Sequence, residues 1–157
     1  MRDEEFSDLI RRIHQELDDL RRVLARINDG WERACRSNDD YYVDGVALNL
    51  HGFYSGLERI FTCIAETVDG HLPQGETWHA LLLGQMLREV PGIRPAVIST
   101  ETGLLLDEQR RFRHLIRNVY TYKLDPERMG KLVLSTQTAF TNIEAELLAF
   151  VTFLEQE

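Results

Sequence analysis

Positively charged side chains crowd into one short segment, residues 110–122, which reads Arg-Arg-Phe-Arg-His-Leu-Ile-Arg-Asn-Val-Tyr-Thr-Tyr. Four arginines and one histidine occupy its first eight positions. Folding gains nothing from concentrated like charge, so the clustering indicates an anion-binding surface, and phosphate is the commonest candidate anion. The competing interpretation is a solvated helix face on which the arginines pair with carboxylates.

The spacing of these side chains predicts a shared face on a helix. Four of them recur at steps of three, four and three residues: Arg110, Arg113, Arg117 and Tyr120. Because Arg113 and Arg117 would lie one turn apart, their two guanidinium groups can grip one phosphate. His114 and Asn118 form a neighbouring pair, also one turn apart. The other four histidines are scattered along the chain and are interpreted as structural.

The overall composition restricts the kind of protein that carries this segment. The chain has 157 residues and a formal net charge of −8, from 18 basic and 26 acidic residues. We expect a single domain over residues 1–157. The negative charge argues against a nucleic-acid binder that uses its whole surface, but it leaves room for a local basic site.

Cysteine usage and hydropathy predict a cytoplasmic protein that does not enter a membrane. Cys35 and Cys63 have no metal-ligand spacing and lie on apolar stretches, so both are expected to be buried free thiols in a reducing compartment. The charged residues 1–5 do not resemble a signal peptide. No apolar run approaches the roughly 20 residues that a membrane span requires.

Apolar periodicity predicts the helices that position the basic segment. Residues recurring at steps of three and four indicate helices at about 3–36, 40–68, 76–89, 104–122 and 126–155. Pro126 is expected in the first turn of the last helix. Gly45, Gly52 and Gly56 predict close approach of another helix to the second one. The fold class is therefore all-α, an antiparallel bundle of about five helices.

The order Arg113-x4-Asn118-x-Tyr120 in such a bundle resembles the HEPN superfamily, and most closely the HepT-like toxins paired with minimal nucleotidyltransferases. The family motif is Arg-x4-His-x-Tyr. The flanking segments 49–61, 68–70 and 124–128 and the pair Trp78-His79 also resemble HepT-like sequences. The likeness spans roughly residues 40–130.

This resemblance implies a homodimer whose motif helices meet across the dimer axis and form one composite ribonuclease site that needs no metal or other cofactor. The substrate would be RNA, for example tRNA. The implied phosphate-binding residues are Arg110, Arg113 and Arg117. The implied catalytic residues are Arg113, Asn118, Tyr120 and His114. The glycine-rich second helix and the motif helix are the candidates for the dimer interface.

The resemblance also implies a protein partner. In such modules the nucleotidyltransferase antitoxin can attach AMP to the motif tyrosine, here Tyr120. The attached AMP would add negative charge and bulk where RNA phosphate must bind. Tyr120 is therefore the implied point of control of a toxin–antitoxin module.

Asn118 departs from the family pattern, because it occupies the position of the motif histidine. An amide does not titrate near neutral pH and cannot act as general acid or base. An alignment that begins at Arg117 places Tyr122 there instead. Three explanations stay open: His114 carries the proton, the chain is an inactive relative, or an active toxin was changed here to permit its production. The alternative function is therefore a catalytically inactive module that binds a nucleotidyltransferase or nucleotides.

Overall fold

The computed structural model describes residues 1–157 and contains five α-helices: α1 (Arg2–Ser37), α2 (Tyr41–Ile64), α3 (Trp78–Leu87), α4 (Thr100–Ile116) and α5 (Pro126–Glu155). A π-helical turn, Ala65–Asp69, extends α2, and a 3-10 turn, Thr121–Lys123, lies between α4 and α5. The chain forms no β-strand, only an isolated bridge between Val90 and Arg94. The predicted all-α architecture with five helices is confirmed. None of the helices combines the length and hydrophobicity needed to cross a bilayer.

Helix α2 occupies the middle of the bundle because apolar side chains cover more of its circumference than of α1. It contacts α1, α3, α4 and the 3-10 turn, while α5 packs against α1 and α4. Phe53 of α2 meets Phe140 of α5 edge to face, with ring centroids 6.2 Å apart. The buried apolar side chains form one cluster of 35 residues, so each helix is held against the same core.

Of the three glycines of α2, one lies against a neighbouring helix and two do not. At Gly56 a Cβ atom would lie 2.8 Å from Cδ2 of Leu20, so α1 approaches closely there, as predicted. At Gly45 and Gly52 a Cβ atom would meet nothing within 4 Å. The prediction of a close helix at these two positions is therefore wrong within a single copy of the chain. They lie on an open face of α2.

Local hydrogen bonds place α4 four to six residues earlier than the sequence predicted. At its start, Oγ of Ser99 accepts a hydrogen bond from the Thr102 backbone N–H at 3.2 Å, which makes Ser99 the N-cap. At its end, Nδ2 of Asn118 donates to the His114 carbonyl at 2.7 Å. The backbone N–H of Asn118 turns to the Leu115 carbonyl instead, so the α-helical pattern stops. α4 therefore ends at Ile116, not at residue 122.

A buried ion pair fixes the segment between α2 and α4. Nε and Nη2 of Arg94 lie 2.5 and 2.7 Å from the two carboxylate oxygens of Asp69, and both side chains are almost fully buried. The carbonyls of Arg88, Pro95 and Gln85 accept further hydrogen bonds from the same guanidinium at 2.8, 3.0 and 3.1 Å. This network ties the C-terminal end of α3 and the segment that follows it to the π-helical turn after α2.

Both cysteines are free, as predicted, but they are not buried. Cys35 is exposed and Cys63 is partly exposed. Cys35 lies in the last turns of α1, beyond Ile27, the last buried residue of that helix. Burial raises the pKa of the Cys63 thiol above its usual value, and the charge of Arg12 opposes this shift.

Candidate functional site

The arginines near the middle of α4 are paired with a carboxylate of their own helix. Nε and Nη2 of Arg110 lie 3.0 and 2.8 Å from Oδ1 of Asp107. Nη2 of Arg111 lies 2.9 Å from Oδ2 of the same aspartate. Asp107 therefore offsets much of the positive charge of this turn, and the free positive charge lies closer to the end of α4.

Arg113, by contrast, points inward against α2. Its Nε donates a hydrogen bond to Oγ of Ser55 at 3.1 Å, and its Nη1 lies 3.7 Å from Oε1 of Glu58. The side chain of Arg113 is 16% exposed and that of Glu58 is 7% exposed. Two contacts from another helix hold the guanidinium in place, so part of its surface stays available while its orientation is restricted.

Glu58 extends this contact to α3. Oε2 of Glu58 lies 2.6 Å from Nδ1 of His79, whose ring packs on the indole of Trp78 with centroids 3.7 Å apart. Because an ionised carboxylate only accepts hydrogen bonds, Nδ1 of His79 carries the hydrogen. The Trp78-His79 pair therefore positions the carboxylate that positions Arg113, and three helices meet at this point.

Arg117 and His51 lie beside Arg113, towards the end of α4. Arg117 follows the last residue of α4 and is exposed; the ion pairs of this segment engage Arg110, Arg111 and Arg113 but not Arg117. His51 is half-buried on α2. Burial lowers the pKa of His51, the charges of Arg113 and Arg117 lower it further, and Glu58 opposes them.

The remaining motif residues lie beyond the end of α4. Asn118 and Tyr120 are exposed, and the backbone at Tyr120 is extended. The rings of Tyr120 and Tyr122 lie nearly parallel with centroids 6.0 Å apart, and the ammonium of Lys123 is 6.0 and 5.9 Å from these centroids. Tyr120 therefore does not share a helix face with Arg113, which corrects the helical placement predicted from the sequence.

The sequence model of a family described as HepT-like protein matches residues 45–154, more than half of the chain. The chain belongs to the HepT-like family. The matched region includes most of α2, all of α3 and α4, and the turn that carries Asn118 and Tyr120. No curated protein and no solved structure matches the chain significantly.

In this HepT-like protein the motif residues separate into two groups. Arg113 lies against α2, whereas Arg117 and the predicted sites Asn118 and Tyr120 occupy the exposed segment after α4, where the charge of Arg117 still lowers the pKa of His51. The side chain of His114 is exposed, and its backbone carbonyl receives the amide of Asn118. Arg110 faces Asp107. The catalytic and phosphate-binding roles of these residues stay predictions.

Three residues of α2 complete the arrangement and were missed by sequence reasoning: His51, Ser55 and Glu58. They recur at steps of four and three residues, so they share one side of α2. This polar stripe on a largely apolar helix was the available signal. No group of three or more His, Cys, Asp or Glu side chains is arranged to hold a metal ion.

Proposed function

We propose that this HepT-like protein is a ribonuclease of the HEPN toxin type and that Arg113 and Arg117 bind the scissile phosphate. The observation that carries the proposal is the environment of these two arginines. Arg113 is oriented by Ser55 and Glu58, and Arg117 remains exposed and outside the ion pairs of α4. Oriented guanidinium groups stabilise charge that develops on a phosphate, and this stabilisation is worth more in a partly desolvated site.

Exposed aromatic side chains next to the arginines favour RNA with unpaired bases as the ligand. Tyr120 and Tyr122 are both exposed, and Lys123 places a positive charge beside their rings. Unstacked bases bind to aromatic faces, and their phosphates bind to nearby cations. A single-stranded end or loop of an RNA such as tRNA provides both groups.

The proposed active form is a homodimer that forms through the open face of α2. Four residues at steps of four, three and four share this face: Tyr41, Gly45, Leu48 and Gly52. Leu48 is 70% exposed, although it is a large apolar side chain. The face borders a groove of about 650 Å³ that contains both basic and acidic residues, including Arg26 and Asp44. Such a surface can match a second copy of itself about a two-fold axis.

The dimer also resolves the conflict between an acidic chain and an anionic substrate. Ser55 and His51 lie at the edge of the open face of α2, so an interface there brings two copies of the arginine site close together. Doubling the local positive charge strengthens phosphate binding while the net charge of the surface elsewhere stays negative.

Leu48→Asp is expected to convert the dimer to a monomer, because it places two like charges against each other across a two-fold axis. Light scattering at micromolar concentration measures the change. Leu134→Asp is the matched control, since Leu134 is 66% exposed but lies on α5. A wild-type monomer, or a Leu48→Asp dimer, would contradict the proposed interface.

The ribonuclease proposal is tested directly with purified wild-type protein and total tRNA in excess EDTA. Attack by the ribose 2′-hydroxyl requires no metal, so we expect cleavage into fragments with 2′,3′-cyclic phosphate and 5′-hydroxyl ends. Gel electrophoresis and end-group analysis detect the products. Intact tRNA after long incubation, with and without added Mg²⁺, would show that the chain is not a nuclease.

Tyr120 is the proposed point of control by a nucleotidyltransferase partner. Tyr120 is 72% exposed, so another protein can reach the hydroxyl without unfolding the turn. Attachment of AMP to Tyr120, three residues along the chain from Arg117, would place a phosphate near Lys123 and would compete with RNA for the nearby cations. This proposal predicts that the modified protein binds RNA more weakly than the unmodified one.

A catalytically inactive binding module is the second candidate, and Asn118 is the observation in its favour. The amide of Asn118 is engaged with the His114 carbonyl and cannot transfer protons. This function predicts stable co-purification with a nucleotidyltransferase and no cleavage of RNA under any condition. Cleavage by the wild-type protein excludes it.

A further inference from the structure

We propose that His51 is the group that moves protons at the arginine site, in the role that the histidine of the family motif would have at position 118. The inference rests on the proposed ribonuclease function. It assigns a further catalytic residue to a helix, α2, that lies outside the Arg-x4-His-x-Tyr motif.

The position of His51 on α2 places it beside the proposed phosphate-binding arginines. Ser55 and Glu58, one and two turns further along the same side of α2, both contact Arg113. Arg117, the residue just after α4, is the next arginine in the direction of the motif turn, and its charge lowers the pKa of His51. Side-chain contacts show that α1 and α2, α1 and α5, and α4 and α5 are antiparallel pairs, so α4 also runs antiparallel to α2. His51, one turn before Ser55 on α2, therefore lies on the side of Ser55 towards Arg117.

His51 is chemically suited to accept a proton. The charged groups that act on its pKa are Arg113 from α4, Arg117 just after α4 and Glu58 from α2, and Glu58 is itself bonded to His79 from α3. Burial and the two arginines lower its pKa, against the smaller effect of Glu58. Both effects favour the neutral ring, which is the form that acts as a general base.

The other histidines near the motif are placed less well for this role. His79 is committed through Nδ1 to Glu58 at 2.6 Å. His114 is exposed and joins the site only through its backbone carbonyl, which accepts the Asn118 amide. His51 alone combines partial burial with two neighbouring guanidinium groups.

Besides the RNA, the proposed reaction uses only the side chains of the site and water. His51 takes the proton of the ribose 2′-hydroxyl as O2′ forms a bond to phosphorus and the bond from phosphorus to O5′ breaks. Water gives a proton to the leaving O5′, and the imidazolium of His51 returns its proton to the resulting hydroxide. The products are a 2′,3′-cyclic phosphate and a 5′-hydroxyl, and Arg113 and Arg117 stabilise the charge on the phosphate oxygens.

The test compares His51→Ala and His51→Asn with the wild-type dimer. Loss of a general base is expected to slow tRNA cleavage about 10²- to 10⁴-fold. Binding of a non-cleavable 2′-O-methyl oligonucleotide is expected to stay unchanged, because the phosphate contacts remain. His14→Ala is the matched control, since His14 is exposed on α1, far from the motif in sequence, and has no proposed role. The Asn variant keeps a polar side chain at the half-buried position, so both variants should remain folded.

The pH dependence of cleavage separates a catalytic role from a structural one. We expect the wild-type rate to fall on the acidic side with a midpoint below the ordinary histidine pKa of about 6.5, and we expect this limb to disappear in both variants. Asn118→His added to His51→Ala is expected to restore cleavage by returning a titratable group to the site. If His51→Ala cleaves RNA at the wild-type rate, the proposed role of His51 is overturned and the ribonuclease proposal is not. A wild type that cleaves no RNA overturns the ribonuclease proposal and the role of His51 together.

Discussion

Arg113→Ala is expected to reduce tRNA cleavage by about 10²- to 10³-fold, the effect of removing one oriented donor from a developing anion. Arg113 is held by Ser55 at 3.1 Å and by Glu58 at 3.7 Å, so its guanidinium needs little reorganisation when the phosphate binds. Initial rates in EDTA at saturating tRNA measure this loss. Arg113→Lys should recover only part of the rate, because an ammonium keeps the charge but not the planar fork.

Arg111→Ala is the matched control for this prediction. Arg111 lies on the same helix, two residues away, and its side chain is 71% exposed and paired with Asp107. The Arg111→Ala variant removes the same charge from the chain and leaves the contacts of Ser55 and Glu58 unchanged. Equal loss of activity in Arg111→Ala and Arg113→Ala would mean that general positive charge, rather than an oriented guanidinium, governs cleavage.

Arg113→Ala also removes one partner of a buried carboxylate, so its effect on folding must be measured separately. Glu58 keeps its hydrogen bond to His79 but loses Arg113, and the free energy of unfolding should fall by about 1–3 kcal/mol. Urea denaturation gives this value. A rate measured well below the unfolding midpoint then reports on the site and not on the folded fraction.

Arg94→Ala is expected to have the largest effect on stability, a loss of about 3–5 kcal/mol in the free energy of unfolding. The variant leaves Asp69 as a buried charge without its partner and removes the donors to three backbone carbonyls. Urea denaturation monitored by circular dichroism measures the difference. Arg11→Ala, which breaks an exposed pair with Asp8, should change stability by no more than about 0.5 kcal/mol.

A double-mutant cycle identifies the source of that loss. Asp69→Ala removes the carboxylate and leaves the Arg94 guanidinium buried, so each single variant should be strongly destabilised. The double variant should lose much less than the sum of the two, because no unpaired charge remains. Additive losses would show that the backbone hydrogen bonds of Arg94, rather than the ion pair, hold this segment.

The Arg94 network matters for function because of what it positions. It joins Asp69 after α2 to the C-terminal end of α3, and α3 carries His79 near its start. His79 in turn contacts Glu58, which contacts Arg113. Loosening of this segment should therefore weaken the orientation of Arg113 even where the protein remains folded.

Periodicity was sufficient for the long helices, because a continuous apolar stripe needs no information about a partner helix. α1 was predicted at about 3–36 and spans Arg2–Ser37, and α5 was predicted at 126–155 and spans Pro126–Glu155. α4 was misplaced at both ends because single polar residues decide them. Ser99 caps its start, and at its end the His114 carbonyl accepts a hydrogen bond from the Asn118 side chain.

The sequence also predicted the candidate site only in part: it showed the motif residues but not their side-chain partners. The motif order Arg113-x4-Asn118-x-Tyr120 was visible in the sequence, and so was the family to which the chain belongs. The sequence could not show that Asp107 pairs with Arg110, or that Ser55 orients Arg113, since donors and acceptors on different helix turns compete for partners. Nor could it show that Gly45 and Gly52 face open space.

The sequence by itself therefore determined the helical class, the order of the helices and the basic segment with its family motif. These properties depend on residues near one another in the chain. Only the tertiary structure decided which arginine is oriented and which is exposed, and that His51, Ser55 and Glu58 stand opposite them. The reason is that the face of α2 that meets α4 depends on how both helices bury their apolar stripes in one shared core.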